Sequence, residues 1–304
     1  MAASQAIIDL SAIPVPDAVE VPDTAVLVSQ IVAKYQELDT LFSALVESDP
    51  AYKWAEALAF RVALMRQQLN DAIRAVLLAS ACAADLDQVG ANFQVERLVI
   101  TPADESTIPP TEAVYEDDDA FRERIQLSWA RLSTAGARNA YRYFARSADP
   151  DVLDVKAYGP ETHLQEGRVF LYVLSRTGDG TASQTLLDKV AASVGDDEIR
   201  PLTDFVSVRS AEIVPYDVVA DIHIPYGVEG ALVMEKANTA LQQYADSVHR
   251  IGSIAACSGI DRALHQSGVI TVNLKSPRAD VVTQMGQAPW CRTLTLNKVE
   301  NTDE

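Results

Sequence analysis

Val169-Phe-Leu-Tyr-Val-Leu-Ser-Arg-Thr-Gly178-Asp-Gly180-Thr-Ala-Ser183 decides what kind of fold this chain has. An apolar run reads as a buried strand, a Gly-x-Gly turn follows it, and a helical pattern follows the turn. Dinucleotide-binding loops share that order, with three glycines that admit a pyrophosphate and let helix and strand pack closely. Here Ser183 takes the place of the third glycine, and the segment is not set in a run of parallel strands and crossovers. The chain also lacks the Gly-Lys-Ser/Thr of a phosphate loop. The simpler reading is a reversal at Gly178 and Gly180 with positive φ, and a helix N-cap at Thr181 or Ser183. The expectation is a turn that holds no nucleotide, no cofactor of any kind, and an α+β fold.

Downstream and upstream of this turn the α+β character runs from Val152. Strands are expected at 152–158, 168–175, 205–213 and 216–225, with a helix at 181–194. The theme repeats with a helix at 231–249, a short helix near 258–267 and a strand at 269–275. These patterns define two small α+β domains with mixed sheets, 151–214 and 215–295. In the strand at 216–225, Val218, Ala220, Ile222 and Ile224 share an apolar face that should be core; Asp217, Val219, Asp221 and His223 share a mixed one. Residues 296–304 read as a loose acidic tail.

Toward the N-terminus the period changes from two to about 3.6. Val28, Ile31, Tyr35, Leu38, Phe42 and Leu45 alternate spacings of three and four within a helix at 25–47, a coiled-coil-like seam and the candidate partner interface. Asp49-Pro50 breaks it. A second helix runs from about Ala51 to Cys82 with the stripe Trp54, Leu58, Val62, Met65, Leu69, Ile73 and Val76. At 1.5 Å per residue it would be roughly 48 Å long, against about 30 Å for a small domain. A hairpin can cover one face of such a helix, and a partner helix would cover the rest. Residues 25–90 thus form a long helical hairpin, the helical bundle region.

Residues 1–24 precede it as an extended arm, with Pro14, Pro16 and Pro22. Ile7, Ile8, Leu10 and Ile13 favour an arm that lies on a neighbour. Residues 91–150 are a linker loop, with one strand at Arg97–Ile100, and a helix pair. The first helix carries Phe121, Ile125, Trp129 and Leu132 behind Glu116-Asp-Asp-Asp119; the second spans Ala137 to Ala148. Four acids in a row invite a hard-metal reading, but carboxylates at a helix start cap free N–H groups and meet the positive dipole end. No metal site is expected.

The bulk composition narrows the function. The formal net charge is −18 over 304 residues, so the chain repels phosphate backbones and anionic membrane surfaces. No basic segment precedes an apolar core at the N-terminus, and the run Ala75–Ala84 is too short to cross a bilayer. Cys82, Cys257 and Cys291 are odd in number and far apart, as in a reducing cytosol. His163, His223, His249 and His265 sit in no nucleophile motif, and no Gly-x-Ser-x-Gly elbow exists. The residues offer no catalytic group, and describe an acidic assembly component with an exposed helical seam.

Five motifs, in order, resemble the baseplate J family of contractile-tailed phages and phage-tail-like bacteriocins. They are Leu86-Asp87-Gln-Val-Gly90 with Arg97; Asp118-Asp-Ala-Phe121-Arg122-Glu-Arg124-Ile125; Ser133-Thr-Ala-Gly136-Ala-Arg-Asn-Ala-Tyr141; Arg146-Ser-Ala-Asp149 followed by Val152; and Ser175-Arg176, Gly180 and Arg200-Pro201-Leu-Thr-Asp204-Phe-Val206-Ser-Val208. The resemblance covers about residues 7–295. It implies a structural baseplate wedge component of a virion or tail-like particle, made in the host cytoplasm. Two copies would join one copy of a second wedge protein through a helical bundle, with sheath-proximal wedge and hub proteins nearby. The α+β domains would dimerise to link wedges into a ring around the tail hub that holds and triggers the sheath. Competing readings are a tail-associated hydrolase with a site built from dispersed carboxylates, and a tail adapter of another fold.

Overall fold

The computed structural model describes residues 7–39, 46–106, 109–133, 137–196, 199–225 and 230–301; Phe42, Leu45 and Gly136 lie outside them. The chain divides into two compact units, Met1–Arg97 with Asp117–Ile125 and Leu98–Glu116 with Gln126–Glu304. The fold class is α+β.

The first unit is built on α1 (Thr24–Leu38) and α2 (Pro50–Ala75), followed by α3 (Ala83–Asn92) and most of α4 (Asp118–Leu127). Asp23 and Asp49 start α1 and α2, each accepting the N–H two residues on. Pro50 occupies the first turn of α2, where its missing N–H costs nothing. The second helix ends at Ala75, short of the expected Cys82. Turns follow, in which the carbonyl of Arg74 accepts from Leu77 N at 3.3 Å and from Ser80 Oγ at 2.7 Å. At 26 residues α2 is still about 39 Å long.

The two helices meet through small side chains. Leu27 and Val28 of α1 close on Ala55 and Ala59 of α2, with Ile31, Tyr52 and Val62 around them. Asn70 is the buried polar residue of α2. Its Oδ1 accepts from Ala18 N and Val19 N at 3.0 and 3.1 Å, and its Nδ2 donates to Val19 O at 2.8 Å. Arg66 donates to Glu20 O, and Arg74 pairs with Asp17 at 2.7 Å. The arm therefore lies, over residues 17–20, on its own helix, while Ile8 and Ile13, which carry the expectation of a neighbour, are exposed. Asn70→Ala leaves two backbone N–H groups and a carbonyl unpaired, at about 1–3 kcal/mol. Hydrogen exchange should then speed up at Ala18 and Val19 while α1 and α2 keep their protection.

The second unit opens with a two-stranded ribbon, β1 (Val99–Thr101) and β2 (Val114–Tyr115). A 3-10 turn at Ser128–Leu132 leads to α5 (Arg138–Ala148), β3 (Val152–Tyr158), α6 (Pro160–His163), β4 (Arg168–Ser175), α7 (Gln184–Val194) and β5 (Phe205–Ser210). Then come β6 (Glu212–Pro225), α8 (Gly230–Val248), β7 (Ile254–Ala255), α9 (Cys257–Leu264), β8 (Thr271–Ser276), β9 (Val281–Val282) and β10 (Gln287–Asn301). Two mixed three-stranded sheets result, ordered β3-β4-β5 and β10-β6-β8. In each, the central strand has one parallel and one antiparallel neighbour.

Each sheet has its own core. Leu171, Val173 and Val155 pack under α5 and α7, and the apolar face of β6, Val218, Ala220, Ile222 and Ile224, is fully buried under α8 and α9. Strands β5 and β6 are one ribbon interrupted only at Ala211, whose N–H bonds Val173 O while the next, of Glu212, bonds Gly286 O. A third apolar cluster, Leu174, Ala211, Ile251 and Ala288, ties the two sheets together. Beside it, Asp154 accepts from Ile251 N at 3.1 Å and Lys156 donates to Ile251 O at 3.0 Å.

The expected loose acidic tail is overturned in part. Residues 296–301 belong to β10, which runs parallel to β6 along its whole length. Composition suggested solvent, but Leu294 and Leu296 alternate toward the second core. Residues 302–304 lie outside the described ones.

Candidate functional site

The glycine turn behaves as a turn. Gly178 and Gly180 have φ of +66° and +96°, and Ser183 caps α7 by accepting from Leu186 N at 3.3 Å. One expectation needs correcting: β4, α7 and β5 do form a single parallel crossover. It is a lone unit, because β3 flanks β4 antiparallel. The space a phosphate would need beside Gly180 is filled, since a Cβ there would lie 2.7 Å from Leu174 Cδ1 and 2.8 Å from His249 Nε2. His249 in turn donates Nδ1–H to Pro289 O at 2.7 Å. An open cavity of about 350 Å³ beside the turn is lined by Arg176, Gly178, His249, Arg250 and Trp290 among others. Gly180→Ala should lower stability by more than about 1 kcal/mol, through strain at positive φ and the close contacts. Millimolar nucleotide should leave the wild-type melting temperature unchanged, where a binding site would raise it.

The sequence motifs converge into three polar knots. In the first, Arg97 Nε and Nη2 reach Asp87 and Asp118, each at 2.8 Å, with the guanidinium 4.8 Å above the ring of Phe121. Asp118 also accepts from Ala83 N at the start of α3, and Arg122 donates to Leu78 O and Ala81 O at 2.8 Å. Gly90 admits Phe121: a Cβ would stand 2.5 Å from its Cζ. The acid run divides its work, because Asp117 caps α4 through Ala120 N while Asp118 and Asp119 pair with Arg97 and Arg122.

In the second knot the buried Tyr141 hydroxyl donates to Asp204 Oδ2 at 2.8 Å, and Arg200 donates to Asp204 O. Burial first, then the carboxylate, pushes the Tyr141 hydroxyl far above the ordinary phenol range. In the third, Ser175 Oγ donates to Asp151 Oδ2 at 2.7 Å, and Arg176 Nε donates to Pro150 O. Every one of these groups holds a turn or a helix end. Among the described residues no three His, Cys, Asp or Glu side chains come together as metal ligands.

The mixed face of β6 carries a polar ladder. Asp217 accepts from Arg292 and from Thr293 Oγ1 on β10, and Asp221 from Asn297 on β10 and Lys275 on β8. Arg292 and Thr293 hold the Asp217 carboxyl down to about 2, and Lys275 followed by Asn297 lowers that of Asp221. Both carboxyls titrate lower folded than unfolded, so the unfolded chain binds more protons in acid. Their contribution is complete above about pH 4 and is lost as pH falls toward 2. Acid denaturation should start in that window, and should move to higher pH in Arg292→Ala, as followed by circular dichroism.

The partner-interface residues read from the sequence are scattered by the fold. Val28 is buried inside the hairpin and Ile31 partly so. Tyr35 and Leu38 are exposed; Phe42 and Leu45 lie outside the described residues. The larger free surface is on α2, where Trp54 and Met65 are 76% and 66% exposed, and continues to its C-cap Val76, 70% exposed. Leu58 and Leu69 stand half-exposed between them. At the start of α2 this surface continues into an open apolar groove of about 530 Å³ with Ile31, Val32 and Tyr35. An inversion causes it: alanines face α1 and the large residues face out. The periodicity marks the stripe but not which way it points.

Residues 47–104 match the family described as Baseplate J-like N-terminal domain, and residues 133–210 the Baseplate J-like central domain. Over 292 residues the chain is 40% identical to Baseplate protein J of Escherichia phage P2, covering 94% of this chain and 95% of that protein. The chain belongs to the baseplate J family. A chain of the cryo-EM structure of the anti-feeding prophage (AFP) baseplate, 6-fold symmetrised, is similar at 15% identity with a TM-score of 0.41. That match covers 62% of this chain and 43% of the other. In this baseplate J chain the N-terminal pattern takes in α2, α3 and β1 but leaves out α1. The central pattern ends at Ser210, with β5, and the phage P2 relation, over 94% of the chain, extends beyond the two patterns.

Proposed function

We propose that the chain is a structural wedge component of a contractile-tail baseplate, joining a second wedge protein and a second copy of itself in the ring around the tail hub. The observation that carries this reading is the outward row of large apolar side chains on α2. Five of them at ~1.5–3 kcal/mol each leave roughly 7–15 kcal/mol of burial for an assembly to supply. A stripe of that size on a long, regular helix is suited to a bundle. The membership in the baseplate J family and the name of the phage P2 relative agree with it. On this reading the three knots set the turns that aim the helices and sheets, and the paired carboxylates of the β6 ladder stiffen the sheet. Dimerisation through the α+β part then falls to surfaces other than those paired carboxylates.

The hydrolase reading asks for two carboxylates in one cleft. The α2 groove is lined by none, a second groove on α1 by Glu56, and the cavity at the glycine turn by Asp246. Cryo-EM of purified tail particles tests the wedge reading. Density for this chain in the baseplate ring is the expected result. Complete, contraction-competent baseplates from cells lacking the chain would end it.

A further inference from the structure

The sheet β3-β4-β5 has one face on the α5 and α7 core, to which Val169, Leu171 and Val173 of β4 and Val206 and Val208 of β5 belong. The alternate residues point the other way: Arg168, Phe170 and Tyr172 on β4, with Phe205, Ser207 and Arg209 beside them on β5. On this face the Arg168 guanidinium lies over the Phe205 ring, 5.4 Å from its centre, and that of Arg209 over the Phe170 ring at 4.1 Å. Both arginines are exposed, and among the described residues neither guanidinium makes an ion pair or a hydrogen bond. A ring contact fixes a guanidinium without consuming its fork of N–H donors, which stays open to a carboxylate. Acids are plentiful in a chain of net charge −18, yet none is placed on either arginine.

The same strand ends the sheet. The N–H groups of Phe205 and Ala211 bond Gly167 O and Val173 O on the β4 side. Backbone groups alternate in direction along a strand, so those of Val206 and Val208 point to the open side, where among the described residues no strand pairs with them. An unpaired edge accepts a further strand, with backbone bonds giving affinity and side chains giving choice of partner. We propose that the edge of β5 takes up an extended acidic segment of a different protein, which adds a strand and sets carboxylates against Arg168 and Arg209. A second β5 supplies no counter-charge in any register, because Phe205-Val-Ser-Val-Arg-Ser210 holds no acid. The acids flanking it are engaged, Asp204 by Tyr141 and Glu212 by Gln287. A nucleic acid would bring a charge with every phosphate into the field of an acidic chain, where a peptide brings only a few. The inference goes beyond the wedge reading and does not draw on it.

The test uses the full-length chain and fluorescein-labelled synthetic peptides of about eight residues, enough to span a strand. In one, Glu alternates with Val; in a second, Lys replaces each Glu. A third repeats the first with the backbone nitrogens of two adjacent inner residues methylated, so that each of its edges loses an N–H. Fluorescence anisotropy should show the Glu peptide binding roughly tenfold more tightly than the Lys peptide, and more tightly than the methylated one. A labelled thymidine oligonucleotide of the same length should bind more weakly than the Glu peptide. The Glu-over-Lys order should reverse in the double variant Arg168→Glu with Arg209→Glu. A misfolded variant would lose both peptides, not exchange their order. Absence of binding, equal binding of the Glu and Lys peptides, no reversal, no effect of methylation, or a preference for the oligonucleotide would overturn the proposal. Self-association of the chain that the double variant disperses in sedimentation would overturn it too, by assigning the edge to a second copy. No tail particle enters this experiment, so its failure leaves baseplate membership standing, and a chain missing from baseplates leaves the edge standing.

Discussion

A chain carrying Leu58→Asp and Met65→Asp should melt as the wild type does and yet enter no baseplate. Both side chains are at least half exposed, so each change falls in the range of surface substitutions, about ±0.5 kcal/mol. In an assembled bundle the same carboxylates would be unpaired and dry, at about 2–7 kcal/mol each. That difference is enough to abolish incorporation. Leu38→Asp on α1, 76% exposed, is expected to act in the same direction. Glu56→Ala, on the far side of α2, is the control that should assemble normally. Equal particle yields from the double variant and the wild type, by electron microscopy and tail mass spectrometry, would remove this face from the assembly.

Phe121→Ala should be the most damaging single change inside the first unit, at about 3–5 kcal/mol. The ring is fully buried and is the floor on which Arg97 and Gly90 rest. Its loss opens a cavity under the Arg97 ion pairs and loosens α3, which hydrogen exchange would register as lost protection at Leu86 to Gly90. Gly90→Ala meets the same ring at 2.5 Å and should also destabilise, but the two changes should not add. Removing the ring makes room for the new Cβ, so the double variant should be more stable than the sum of the singles by about 0.5–3 kcal/mol. Strict additivity in a denaturant-melt cycle would refute the contact.

The two sites differ in how far they could be read from the chain. The motifs around Asp87, Gly90, Arg97, Asp118 and Phe121 stand out because each has a local signature, a turn glycine or a charged helix start. That they form one knot is not local: Arg97 and Asp118 are brought together by the loop between them. Asn70 was missed as the clasp of the arm. No local signal marks it, since it stands among Arg66, Gln67, Gln68 and Asp71, and nothing nearby names its partner 51 residues away. The residues from Val28 to Leu45 are apolar and periodic in the sequence, yet Val28 is used inside the hairpin and α1 ends at Leu38.

The sequence alone determined what depends on neighbours in the chain. Period three-and-four set α1 and α2, period two set the core face of β6, glycine at positive φ set the turn before α7, and five short motifs in order marked the family. The tertiary structure decided what depends on which surfaces meet. An apolar stripe lowers its free energy against any dry surface of the right shape, so period cannot choose between a hairpin and a partner. Steric fit chooses: Ala55 and Ala59 let α1 approach, and that turns Trp54, Leu58, Met65, Leu69 and Val76 outward. By the same logic β10 was hidden in an acidic-looking tail, because a parallel strand is held by backbone hydrogen bonds to β6, its partner some 75 residues earlier in the chain, and those bonds leave almost no mark on composition.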